Sequence, residues 1–162
     1  LDKVLSMIAD ARSQGALCVY GGERQYPAEC PRGFYVQPTI FTEVTTQMTI
    51  WREEVFGPVL AVIRADDEDH AIALANDSKY GLAAGIWTSD GERASRLASR
   101  LVAGTVYINH YRSVDPGSPI GGFKSSGYGR ELGPDAVRDF MQIKSVWVGS
   151  APCVDPFPAQ PA

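Results

Sequence analysis

Leu1, Val4, Leu5 and Ile8 recur at the spacing of one helical face, and the pattern stops before Gly15, so residues 1–14 are predicted to form a helix with a glycine end. Ala16 to Tyr20 follow as a short strand before Gly21-Gly22. Residues 23–34, punctuated by Pro27, Pro31 and Gly33, read as an exposed loop, and Tyr35 to Phe41 as a brief extended segment. From residue 58 the pattern becomes regular. Val59-Leu60-Ala61-Val62-Ile63 is a continuous apolar run, and Asp66-Asp67-Glu68-Asp69 after it is acidic in the way first turns of helices are. Leu82 to Thr88 is a second apolar run. Ser89-Asp90-Gly91-Glu92 matches a capping box, and Ala94, Leu97, Ala98, Leu101 and Val102 make one helical stripe behind it.

Thr105-Val106-Tyr107-Ile108 supplies a third strand, so residues 58–108 read β-α-β-α-β. That order predicts an α/β protein with a parallel βαβαβ sheet, right-handed crossovers and flanking helices. A glycine-rich loop at 116–133, a short helix around Asp135–Met141 and a strand at Ile143–Val148 complete the expected elements. The tail beyond Gly149, with Pro152, Pro156, Pro158 and Pro161, is expected to be disordered.

The length of 162 residues is that of one ordinary domain. A net charge of −4 without a basic stripe gives no support to a nucleic-acid or anionic-membrane partner and leaves small molecules or other protein chains. No run approaches the roughly 20 apolar residues that span a bilayer, and Leu1-Asp2-Lys3 does not open a signal peptide. Cys18, Cys30 and Cys153 are odd in number and widely spaced, which indicates neither a disulfide framework nor a zinc site and fits a cytoplasmic location. His70 and His110 carry no metal-ligand spacing. A start at Leu1, inside a helical pattern, suggests that the natural protein continues upstream.

Glu54 ahead of Phe56-Gly57-Pro58 places a carboxylate beside an aromatic ring at a rigid turn, suited to accepting hydrogen bonds from vicinal hydroxyls while the ring packs a flat heterocycle. On residues alone, a surface acid next to a core phenylalanine explains the same letters. Around Gly121-Gly122, Phe123 separates the glycines from Lys124, so no P-loop is formed and phosphate cradling is disfavoured. These glycines instead predict a backbone running close against a neighbouring element, with Lys124 and Arg130 as loop-pinning cations.

Four segments, in this order and spacing, closely resemble the aldehyde dehydrogenase superfamily: Glu53-Glu54-Val55-Phe56-Gly57-Pro58, Tyr80-Gly81-Leu82, Gly104-Thr105-Val106-Tyr107-Ile108-Asn109, and Pro119-Ile120-Gly121-Gly122-Phe123-Lys124 running on to Glu131. The resemblance extends from the first helix to Val148 and corresponds to the C-terminal part of a family member. It implies an NAD(P)-dependent oxidation of an aldehyde to a carboxylic acid, in which a cysteine thiolate attacks the aldehyde and hydride passes to NAD or NADP. No cysteine here has the surroundings of that nucleophile, so no catalytic residue is assigned.

By the same resemblance Glu54 holds the nicotinamide ribose and Phe56 contacts the nicotinamide, Glu53 being the less suited of the two acids. Residues 110–119 line the aldehyde entrance, with Arg112, Val114 and Ile120 as pocket residues. Ile120 stands where the family commonly has phenylalanine. Arg112 could receive a substrate carboxylate bidentately or form a salt bridge with Asp115. Residues 1–141 then belong to the catalytic domain, 142–149 to an oligomerisation strand that pairs with Thr105–Ile108 of a second copy, and 150–162 to the tail. Two other readings stand beside an enzyme part that contributes no nucleophile: a stand-alone interaction module, and an excised piece without activity of its own.

Overall fold

Helix α1 (Asp2–Ser13) buries Val4, Met7, Ile8 and Ala11, an i, i+3, i+4, i+7 face that shares Val4 and Ile8 with the predicted one and leaves Leu1 and Leu5 half-buried at its border. Its end is set by Gly15, whose φ of 98° lies in the left-handed region and lets the Ala16 amide bond back to the Ala11 carbonyl at 3.0 Å. These observations come from a computed structural model, which describes residues 1–150. The expected tail, including Cys153, lies outside the described residues except for Ser150.

Strand β1 (Leu17–Tyr20) follows, then a short hairpin arm of β2 (Arg24–Gln25) and β3 (Tyr35–Val36) within and after the segment read as loop. Strand β4 (Thr39–Thr42), the short helix α2 (Thr49–Arg52) and β5 (Val59–Ala61) come next. One sheet has the order β1-β4-β5, with β1 antiparallel and β5 parallel to β4. Its core is made by Val4, Ile8 and Ala11 from α1 against Phe41, Val44, Met48 and Ile50. Phe41 is fully buried at its centre.

Helix α3 (Glu68–Asn76), β6 (Tyr80–Gly81), β7 (Ala83–Ile86), helix α4 (Gly91–Arg100) and β8 (Thr105–Ile108) confirm the predicted element order from residue 58 to 108. They do not confirm a single parallel sheet. Strands β7 and β8 pair in parallel, but β5 hydrogen-bonds to β4 and not to β7. The reason is local: the Thr39 amide bonds to the Pro58 carbonyl at 2.8 Å, which commits the start of β5 to the first sheet before the chain reaches α3. Strand β9 (Phe123–Lys124) pairs antiparallel with β6, so the fold is α/β with mixed sheets.

One smaller expectation is also corrected. The N-cap of α4 is Asp90, whose Oδ1 accepts from the Arg93 amide at 3.0 Å, and the Ser89-Glu92 box is not made; Asp and Ser are equally good caps, and the chain uses the one closer to the helix. Residues 143–148 form no strand with the rest of the chain. Ile143, Val146, Trp147 and Val148 are almost wholly exposed, beyond the single 3₁₀ helix Pro134–Phe140.

Helices α3 and α4 are joined by charge. Glu68 accepts from Arg93 Nε and Arg96 Nη2, each at 2.7 Å, and Asp69 from Arg100 Nη2 at 2.6 Å. The hydrogen bond from Arg96, then that from Arg93, holds the Glu68 carboxyl below its ordinary range. A carboxylate depressed in the folded state stabilises above its unfolded pKa, near ~4.3 for glutamate, and loses that contribution as pH falls through the folded value. Glu68→Gln is therefore expected to melt below the unsubstituted protein at pH 7, with the gap closing as the pH is taken below ~4. A gap of constant size across that range would show that the ionised pairs add no stability.

Candidate functional site

Helix α2 stops at Arg52 because Glu53 takes an extended backbone, φ −116° and ψ 144°. The chain then turns through Glu54 to Pro58 against the first core. Gly57 lies on Val4 so closely that a Cβ there would meet Val4 Cγ2 at 2.8 Å, and the Pro58 carbonyl is taken by the Thr39 amide. Between these fixed points Phe56 has φ 56° and is 83% exposed. Left-handed backbone at an aromatic residue costs of order 1–3 kcal/mol, and burial of the ring does not offset it here.

The two acids of this turn are differently engaged. Lys79 Nζ donates to both Glu53 carboxylate oxygens at 2.7 Å. That bond lowers the Glu53 pKa and raises that of Lys79. Glu54 accepts only through its backbone, from Lys3 Nζ at 3.2 Å, and its carboxylate has no partner among the described residues. Glu54 borders a cavity of about 250 Å³ with Trp51, Tyr80, Leu82 and Ser126. It also borders one of about 300 Å³ whose walls include Asn76, Ser78, Val102 and Tyr111. Phe56 lines neither of them.

Of the three expected pocket residues, the structure brings two together. Val114 and Ile120 line one cavity of about 230 Å³ with Tyr107, Ser113 and Pro119 under β8. Arg112 is not part of that cavity: it has φ 61° and is exposed. Neither does it pair with Asp115, whose Oδ1 instead accepts from the Gly117 amide at 2.7 Å and closes the Pro116-Gly117 turn.

Residues to which the sequence reading gave no individual role set the path of this loop. Asn109, at φ 52°, uses its side-chain amide as a substitute strand, accepting from the Thr88 amide at 2.8 Å and donating to the Thr88 carbonyl at 2.7 Å. An asparagine directly after a strand, tolerant of left-handed backbone, is the signal that could have found it. Tyr107 donates its hydroxyl to the Ser113 carbonyl at 2.8 Å, and His110 contacts the Ser113 hydroxyl. The rings of Tyr107 and Tyr111 meet edge to face, 5.5 Å between centroids.

The glycine-rich segment is a packing device. A Cβ on Gly104 would sit 1.7 Å from the Gly121 carbonyl oxygen, and one on Gly121 would sit 2.2 Å from that of Gly129. Lys124 Nζ donates to the Asn76 and Ser78 carbonyls at 2.8 and 3.0 Å, while Arg130 donates to the Gly122 and Gly129 carbonyls. Both cations pin loops, as expected.

Residues 1–146 match the sequence pattern described as Aldehyde dehydrogenase family. This chain belongs to the aldehyde dehydrogenase family. It is 49% identical over 157 residues to a betaine aldehyde dehydrogenase of Cereibacter sphaeroides, covering 97% of this chain and 32% of that protein. Among solved structures, an aldehyde dehydrogenase of Mycobacterium tuberculosis in complex with NAD+ is similar with a TM-score of 0.85 at 47% identity, over 94% of this chain and 31% of that one. A betaine aldehyde dehydrogenase from Staphylococcus aureus, also in complex with NAD+, gives a TM-score of 0.89 at 36% identity, over 98% and 32%. The chain thus spans about a third of the length of the relatives it matches. Among the described residues of this family member, no cluster of His, Cys, Asp and Glu could hold a metal ion, and no helix is long and apolar enough to cross a membrane.

Proposed function

We propose that this chain is the nicotinamide-positioning and tunnel-closing part of an NAD(P)-dependent aldehyde dehydrogenase that oxidises an aldehyde to a carboxylic acid. The observation that carries the reading is the unpartnered Glu54 carboxylate, held on a turn whose two ends are fixed to the core and facing an open cavity. A carboxylate with free lone pairs accepts hydrogen bonds from the two hydroxyls of a ribose. Beside it, the exposed ring of Phe56 is available to a flat heterocycle, so the residues present fit NAD or NADP.

The nicotinamide, when bound, supplies the hydride acceptor. What this chain does is orient and enclose. Glu54 would hold the ribose and Phe56 would offer its exposed ring to the nicotinamide, an orientation that hydride transfer requires. On the aldehyde side Val114 and Ile120 give an aliphatic wall, which favours substrates without a flat aromatic group. The cysteine nucleophile is supplied by the rest of the enzyme. Cys18 is packed against the first core with Arg12 at its sulfur, and Cys30 is exposed beside the hairpin arm; neither borders the Glu54 cavities. Both thiols are free, in keeping with a cytoplasmic enzyme. Residues 143–148 are the element that pairs with β8 of a second copy.

In the full-length protein carrying this segment, Glu54→Gln is expected to slow single-turnover hydride transfer by about ten- to a hundredfold while changing cofactor affinity far less, since a positioning contact acts mainly in the transition state. The isolated chain should produce no NADH or NADPH from any aldehyde. Unchanged single-turnover kinetics in the variant, or cysteine-dependent turnover by the isolated chain, would overturn the proposal.

A further inference from the structure

We infer that Lys79 is a positioning residue for the nicotinamide site: by engaging both oxygens of Glu53, it leaves Glu54 as the single free carboxylate of the pair. The inference rests on the role proposed for Glu54. Two adjacent glutamates at the mouth of one cavity present a dinucleotide with two acceptors for one pair of hydroxyls, and with two negative charges facing an anionic ligand. The bidentate contact of Lys79 at 2.7 Å removes one acceptor and one charge.

The segment that carries Lys79 is itself firmly placed. Arg52 pairs with Asp77 at 3.0 Å, so the end of α2 is held at two successive residues, Arg52 and Glu53. On the other side the Lys79 carbonyl accepts from the Ser125 amide at 2.9 Å, and the Gly81 amide donates to Ser126 Oγ at 3.0 Å. Lys79 therefore works from a backbone clamped between the Glu53-Glu54 turn and the glycine-rich loop, so its ammonium is delivered to Glu53 and not to Glu54. Both partners of the ion pair are about half exposed, and such pairs contribute ~0–1 kcal/mol to folding. A conserved fold with altered chemistry is thus the expected signature of losing it.

The test uses the full-length protein carrying this segment, with Lys79→Met, Lys79→Arg, Glu53→Gln and the Lys79→Met/Glu53→Gln double variant beside Glu54→Gln. Lys79→Met should slow single-turnover hydride transfer about tenfold, with cofactor Kd changed less than about threefold and Tm nearly unchanged. Lys79→Arg should retain the rate. Glu53→Gln in the Lys79→Met background should restore most of it, because the acid that Lys79 neutralises is then absent. A normal rate in Lys79→Met, or a slow rate that Glu53→Gln does not rescue, overturns the inference while a slow Glu54→Gln leaves the parent reading standing. A normal rate in Glu54→Gln removes both.

Discussion

Alanine at position 104 is expected to destabilise the protein by roughly 4 kcal/mol or more, at the far end of what single substitutions do. The added methyl would lie 1.7 Å from the Gly121 carbonyl oxygen, which is backbone and has no rotamer in which to retreat. Gly104 cannot move away either, since its amide is bonded to the Gly81 carbonyl at 3.0 Å and that of Thr105 to the Leu82 carbonyl at 3.2 Å. Displacing Gly121 would in turn press it on Gly129 and Arg130. Against a total stability of about 5–15 kcal/mol, the substitution should remove most of the soluble folded protein. Comparison of yield and of the urea midpoint with the unsubstituted protein checks this. A loss below about 1 kcal/mol would show that residues 119–122 yield without cost.

Lysine at both Val146 and Val148 is expected to turn a dimer into monomer or insoluble material. Ile143, Val146, Trp147 and Val148 are three-quarters or more exposed and make no strand with their own chain, although β-branched and aromatic residues at this density favour pairing. We propose as the complementary surface the edge of β8 that is left unpaired among the described residues, where β8 pairs with β7 on one side only. Reciprocal exchange between two copies satisfies both at once, and a charge at each of two pairing positions desolvates poorly in that interface. Sedimentation of the full-length protein with and without the lysines decides it. An unsubstituted protein that sediments as a monomer at high concentration, or a double variant that stays dimeric, would refute the pairing.

The order of elements was legible because each rests on local chemistry. Gly15 ends α1, the acidic run starts α3 at Asp67, and apolar runs mark β5, β7 and β8. Sheet membership was not legible, since the apolar runs of β5 and β7 read alike and bonds between residues distant in sequence, Thr39 to Pro58 and Val62 to Phe41, assign β5 to β4. At the site, Val114 and Ile120 fall on one cavity. Arg112 stands outside that cavity on a left-handed backbone, a conformation that an arginine does not announce in sequence. The engagement of Glu53 by Lys79 joins residues in different elements, and no spacing rule within either motif encodes it.

The ties that hold residues 76–79 differ in kind, and that difference governs how the protein is free to vary. Lys124 grips the carbonyls of Asn76 and Ser78, groups that every amino acid provides, so that this contact does not depend on which residues stand there. The bond from Lys79 to Glu53 joins side chain to side chain, and either partner changed alone leaves an orphan charge beside Glu54. Under the role proposed for Glu54, divergence on that side of the molecule must therefore pass through paired substitutions at 53 and 79.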